Sequence, residues 1–191
     1  MINRRTTLKL GGASALASLV NLPAHALASK NAASAAPFHA IYDSAYSESV
    51  SFANTIQPSA SSVMDIEGDL SKLWYGQLRN QLITSRSPLI GLTTRLDLFC
   101  LEELARDVGM KVSLRVDHLI DLLGKVEHQI NGSPMINSSL VKLGHESGFG
   151  SKLAELSGLF LKDLTADLSA QKLTGANAPA NKTALVTWMI S

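Results

Sequence analysis

The chain reads as an α/β protein, a three-layer Rossmann-like sandwich around a mostly parallel sheet of about five strands. Three observations predict this. Short apolar runs of strand length alternate with longer segments whose apolar residues recur at helical spacing. Charged residues are only 17 % of the 191 residues and apolar ones 46 %, a balance suited to heavily buried elements. A single cysteine, Cys100, leaves no internal disulfide and no cysteine metal cluster, so stability must come from burial.

The domain is expected over residues 38–191, behind an address. Asn3-Arg4-Arg5-Thr6-Thr7-Leu8-Lys9 resembles the twin-arginine export signal, with Arg4 and Arg5 as the pair and Thr7 where Phe is common. A short Gly/Ala-rich apolar stretch follows, too short to anchor in a bilayer. Ala26-Leu27-Ala28 is a small-x-small cleavage pattern. Residues 1–28 thus read as a signal peptide and 29–37 as a small-residue linker. The resemblance implies folded export to the periplasm or beyond. It also implies the twin-arginine translocase as partner during export and no stable membrane anchor after cleavage. Removing residues 1–28 takes away three basic residues and no acidic one, so the net charge moves from +1 to −2. That argues against a nucleic-acid binder, which would carry a clustered basic excess.

The elements follow in order. Phe38 to Tyr42 is a nearly continuous apolar run, a first strand buried on both faces. Ser44 to Gln57 carries Val50, Ala53 and Ile56 at helical spacing and stops at Pro58. Val63 to Ile66 is a second strand. Asp69 is placed to cap a helix with the stripe Leu70, Leu73, Trp74, Leu78 and Leu82. Pro88 to Thr93 is a third strand, and Thr94 and Asp97 have the spacing of a capping box. The helix over Asp97 to Asp107 is apolar nearly all round, with Cys100 packed inside it, and Gly109 is a natural stop. Lys111 to Val116 alternates like a half-buried strand near an edge. Asp117 to Gln129 suggests a helix weakened by Gly124, Asn131 to Pro134 a turn, and His145 to Gly150 a polar loop. Ser151 to Gln171 is a helix, Gly175 to Asn181 a loop, and Ala184 to Ile190 a buried strand paired centrally.

In open parallel sheets, ligands bind beyond the carboxyl ends of the strands. That selects Asp43 and Ser44, Glu67 and Asp69, Thr93, Thr94 and Arg95, and Asp117 with His118. Gly91 to Arg95 runs from a strand into a helix N-terminus, where backbone N–H groups, two hydroxyls and a guanidinium suit a small anion. The plainer role for Thr94 is to cap, and for Arg95 to pair with an acid. Asp43, Glu67 and Asp69 are a weak alternative as a metal site, against simple capping and solvation. Of His39, His118, His128 and His145, His118 is best placed for acid–base work, and no two stand at metal-pair spacing on a helix. Cys100 has nothing to activate it, and Trp74, Tyr75 and Trp188 read as core or rim. No glycine-rich nucleotide fingerprint or hydrolase elbow occurs, so the cofactor stays unknown.

The stretches Gly68-Asp69-Leu70, Leu73-Trp74-Tyr75, Gly91-Leu92-Thr93-Thr94, Leu98-Phe99-Cys100-Leu101-Glu102 and Leu185-Val186-Thr187-Trp188-Met189-Ile190 resemble a group of exported twin-arginine-signal proteins with no established activity. The resemblance adds no catalytic residue. Two functions follow from the residues. One is an exported accessory or binding protein that holds a small anion at Thr93, Thr94 and Arg95, or a redox or catabolic partner in the periplasm. The other is a small hydrolase or transferase with His118 as base and Arg95 as anion clamp. A chromophore acquired before export is a third possibility.

Overall fold

The structure, a computed structural model, describes residues 37–131, 134–143, 148–163 and 182–191. The signal peptide expected over 1–28, with Arg4 and Arg5, and all but the last residue of the linker expected over 29–37 lie outside these residues. So do His145, Glu146, the loop 175–181 and the helical residues beyond 163.

The protein is α/β, with helices packed on both faces of one six-stranded sheet of order β2-β1-β3-β6-β4-β5. The strands are β1 (His39–Tyr42), β2 (Ser62–Asp65), β3 (Leu89–Thr94), β4 (Val112–Ile120), β5 (Val126–Asn131) and β6 (Thr183–Ile190). The first half is built as read. β1 lies between β2 and β3, parallel to both. The crossover from β1 to β2 runs through α1 (Ser47–Ile56). The return to β3 runs the other way, through α2 (Leu70–Leu73), a π-helical turn (Trp74–Leu78) and α3 (Arg79–Ser85). Right-handed crossovers in opposite directions place their helices on opposite faces of the sheet. The core is accordingly split in two. Phe52 and Ile56 of α1 pack over Ala40, Ile90 and Leu92 on one face, and Trp74, Leu78 and Leu82 pack with Ile41 and Leu89 on the other.

The second half departs from the expectation of a mostly parallel sheet. β6 pairs antiparallel with β3 and with β4, and β4 pairs antiparallel with β5, so three of the five ladders are antiparallel. β4 lies between β6 and the edge strand β5, one strand in from the edge as expected. The expected helix over Asp117 to Gln129 is the rest of β4, a tight turn and β5. Gly124 explains the turn: its φ is 79°, a left-handed conformation glycine adopts without strain. Asp121 fastens that turn by accepting from the N–H groups of Leu123 and Lys125, both at 2.9 Å. The central pairing expected of the strand over 184–190 holds, since β6 joins β3 to β4.

α4 (Arg95–Arg106) closes with Gly109 at φ 78°. It buries Leu98, Leu101 and Ala105, while Leu96 and Phe99 stay 70 % and 61 % exposed, so its surface is not apolar-buried all round. Cys100 is half-buried and unpaired. The helix expected from Ser151 is divided at Leu156 into α6 (Phe149–Glu155) and α7 (Ser157–Asp163). α5 (Pro134–Leu140) ends in a 3₁₀ turn. Among the described residues no helix is long and apolar enough to cross a membrane.

Candidate functional site

β4 runs parallel to β3 across the intervening β6, with Thr93, Val186 and Asp117 in one register and Thr94, Leu185 and His118 in the next. The residues selected after β1, β2, β3 and β4 therefore share one edge of the sheet. They do not share one face.

Arg95, Asp117 and Arg115 form a cluster. Arg95 Nε donates to Asp117 Oδ1 at 2.9 Å. Arg115 donates through Nε to Oδ2 at 3.1 Å and through Nη2 to Oδ1 at 3.2 Å. The Asp117 side chain is fully buried, those of Arg95 and Arg115 are 23 % and 16 % exposed, and the cluster carries a net charge of +1. Two guanidiniums supply the charge-assisted bonds without which a buried carboxylate would be costly. Arg95 keeps one terminal nitrogen, Nη2, buried and without a hydrogen-bond partner. Arg115 escaped the sequence reading because it looked like the solvent side of an edge strand.

The neighbouring hydroxyls are occupied. Thr94 forms the expected capping box: its Oγ1 accepts from Asp97 N at 3.2 Å, and its N–H donates to Asp97 Oδ2 at 3.2 Å. Thr93 is buried and its Oγ1 accepts from Trp188 Nε1 at 2.9 Å. Gly91 belongs to the strand rather than to an anion loop, and the Trp188 indole lies against it where a side chain would be. The helix N-terminus thus already holds a carboxylate, Asp97.

Asp43, Ser44, Glu67 and Asp69 serve the turns. The buried Ser49 hydroxyl, which the sequence reading passed over, accepts from Asp43 N at 2.8 Å and donates to Leu92 O. It stitches β1 to β3 where the order of the strands reverses. Asp65 accepts from the N–H groups of Ser44 and Glu67, each at 3.1 Å. Burial alone would raise the Asp65 carboxyl, but bonds from Ser44, Glu67 and Tyr42 outweigh it and hold it below the usual carboxylate range. Asp69 caps α2 by accepting from Lys72 N, and Glu67 pairs with Lys72 Nζ at 3.3 Å. Asp43, Glu67 and Asp69 are each engaged locally, and no group of three metal-ligating side chains gathers among the described residues.

His118 faces the other side of the sheet. It is fully buried, with Nδ1 2.6 Å from His128 Nδ1 and Nε2 2.8 Å from Thr187 Oγ1. Phe149 of α6 lies against its ring, centroids 4.7 Å apart. Burial, and secondarily the charge of His128, push its pKa well below the ordinary value, which keeps it neutral. Asp117 and His118 are successive residues of a strand, so the sheet separates them. The structure does not bring His118 and Arg95 to a common point, and a base closed over by Phe149 and Thr187 does not reach a substrate held by Arg95.

Comparison with known protein families, curated proteins and solved structures found nothing that matches this chain.

Proposed function

We propose that this is an exported accessory or binding protein that recognises a small anionic ligand at the carboxyl edge of β3 and β4. The observation that carries the reading is the spare guanidinium nitrogen of Arg95, buried and unpartnered in a cluster with an excess positive charge. An unsatisfied buried donor is costly, and a carboxylate or phosphate oxygen is the partner such a donor suits best. Asp117 then acts as the fixed counterion that orients both arginines. Export by the twin-arginine route places the ligand, or a redox or catabolic partner presenting such a group, in the periplasm.

The test is anion titration followed calorimetrically, with inorganic phosphate, sulfate and succinate as probes. Binding is expected for at least one of them, and Arg95→Gln is expected to weaken it about 10- to 100-fold, the worth of one charge-assisted bond. Heat of binding that is absent for all three, or unchanged in the variant, defeats the proposal.

A further inference from the structure

A different part of the molecule carries a second recognition surface. β2 ends the sheet, and among the described residues no strand covers its outer side. Natural edge strands are blunted by short length, charged side chains, Pro or a bulge. Ser62-Val63-Met64-Asp65 is short and ends in Asp65, but it has no Lys, Pro or bulge, and its register with β1 is unbroken. The outward backbone groups can be assigned. Ile66 N donates to Tyr42 O at 3.0 Å while Tyr42 is in register with Asp65. In a parallel ladder, residues alternate between facing the partner strand and facing away. Val63 and Asp65 therefore turn their N–H and C=O groups outward.

A groove flanks this edge on each face. On the α2 side a cavity of about 460 Å³ is lined by Met64, Ile66, Leu73, Gly76 and Gln77. On the α1 side one of about 390 Å³ is lined by Tyr42, Asn54, Gln57, Ala60, Ser62 and Val63. Both fall within the size range of ligand sites, about 300–1,000 Å³. The first is opened by the π-helical turn Trp74–Leu78, a feature concentrated at functional sites. Gly76 lies in that turn, and a side chain there would meet nothing within 4 Å.

A free edge between two grooves is the geometry an extended peptide needs. Its backbone completes the ladder, and its successive side chains fall alternately into one groove and the other. Charge selects the occupant. The rim of the α2-side groove gathers Asp65, Glu67 and Asp69 against Lys72 alone, a net charge of −2. The α1-side groove is neutral and lined largely by amides and hydroxyls. We propose that β2 accepts an extended segment of a partner protein as an added strand, with lysine or arginine side chains directed into the α2-side groove and small or polar ones into the other. This surface lies at the far edge of the sheet from Arg115 and does not depend on the Arg95 site.

The test uses the full chain, ¹⁵N-labelled, and two capped six-residue probes of alternating lysine–serine and glutamate–serine. The lysine probe is expected to slow hydrogen exchange at the Val63 and Asp65 amides at least tenfold, and the glutamate probe to bind at least tenfold more weakly. Val63→Pro removes one outward donor and should reduce affinity at least tenfold. Glu67→Lys, at an exposed position that leaves the strand intact, brings the rim to neutrality and should abolish the preference between probes. No protection at millimolar lysine probe overturns the proposal. So does binding that leaves Val63 and Asp65 unprotected, because charge adsorption alone would then explain it. Equal binding of both probes by the wild-type chain also overturns it, as does a Glu67→Lys preference that stays unchanged.

Discussion

Asp117 and His118 sit side by side in β4, and the pleat sends one to each face. Each then meets a different solution to burial. Asp117 has both its oxygens gripped by Arg95 and Arg115. His118 stays neutral because it is fully buried, with its ring nitrogens against His128 and Thr187. The sequence reading put the pair just after a strand, whereas both lie within β4. Their partners were not legible, since Arg95, Thr187 and His128 come from three other elements and no local spacing marks them. A pH dependence follows. The unfolded chain protonates His118 near pH 6.5, whereas the folded protein resists until well below that value. Below about pH 6.5 the unfolded state therefore binds more protons, and stability falls as pH drops through that value. The unfolding free energy from urea titration should be flat above about pH 7.5 and decline below about 6.5, with a slope approaching about 1.4 kcal/mol per pH unit for this one group. His118→Gln should flatten the decline. Asp65 acts in a lower window: its depressed pKa contributes stability that is present above about pH 4 and is lost below it, as pH falls through the lowered folded value. Midpoints that do not move between about pH 7.5 and 5 would contradict the role given to His118.

At the scale of elements, local chemistry was readable and pairing was not. The Thr94–Asp97 capping box, the Asp69 cap and the Gly109 stop all rest on contacts within a few residues, and all three form. The β4–β5 hairpin was read as a helix weakened by Gly124, because what buries Asp117 and His118 is contributed from other elements. β3 shows the same limit. Gly91 reads locally as the strand end of a junction suited to an anion, but its reason is Trp188 of β6. The indole is pinned over the glycine by its bond to Thr93. A Cβ at position 91 would overlap ring atoms of Trp188, which has nowhere to retreat. Gly91→Ala should therefore cost about 2–3 kcal/mol through overpacking. Equilibrium urea unfolding measures it, and a wild-type midpoint would show that the indole is free to move.

For the whole molecule, the three-layer α/β arrangement was legible because strand and helix periodicities alternate through residue 116. The mixed direction of the sheet was not, since it depends on where β6 inserts. The folded domain also bears on the proposed export. A route for folded cargo suits a disulfide-free domain whose stability comes from two cores, one on each face of the sheet. Replacing Arg4 and Arg5 together by lysine should hold the precursor in the cytoplasm, as seen by fractionation and immunoblotting. Undiminished arrival in the periplasm would refute twin-arginine export.

The place of β6 imposes an order in time. The β2-β1-β3 and β4-β5 groups can each assemble from residues near one another in the chain, yet neither pairs directly with the other. Until Thr183–Ile190 emerges from the ribosome, β3 and β4 present bare inner edges, the kind that invite mispairing. Insertion of β6 joins the halves by a ladder on each side and brings Val186 and Trp188 into one core and Leu185 and Met189 into the other. A chain cut short before Thr183 would therefore be left as two unjoined half-sheets, which an export system that tests for foldedness has good physical reason to turn away.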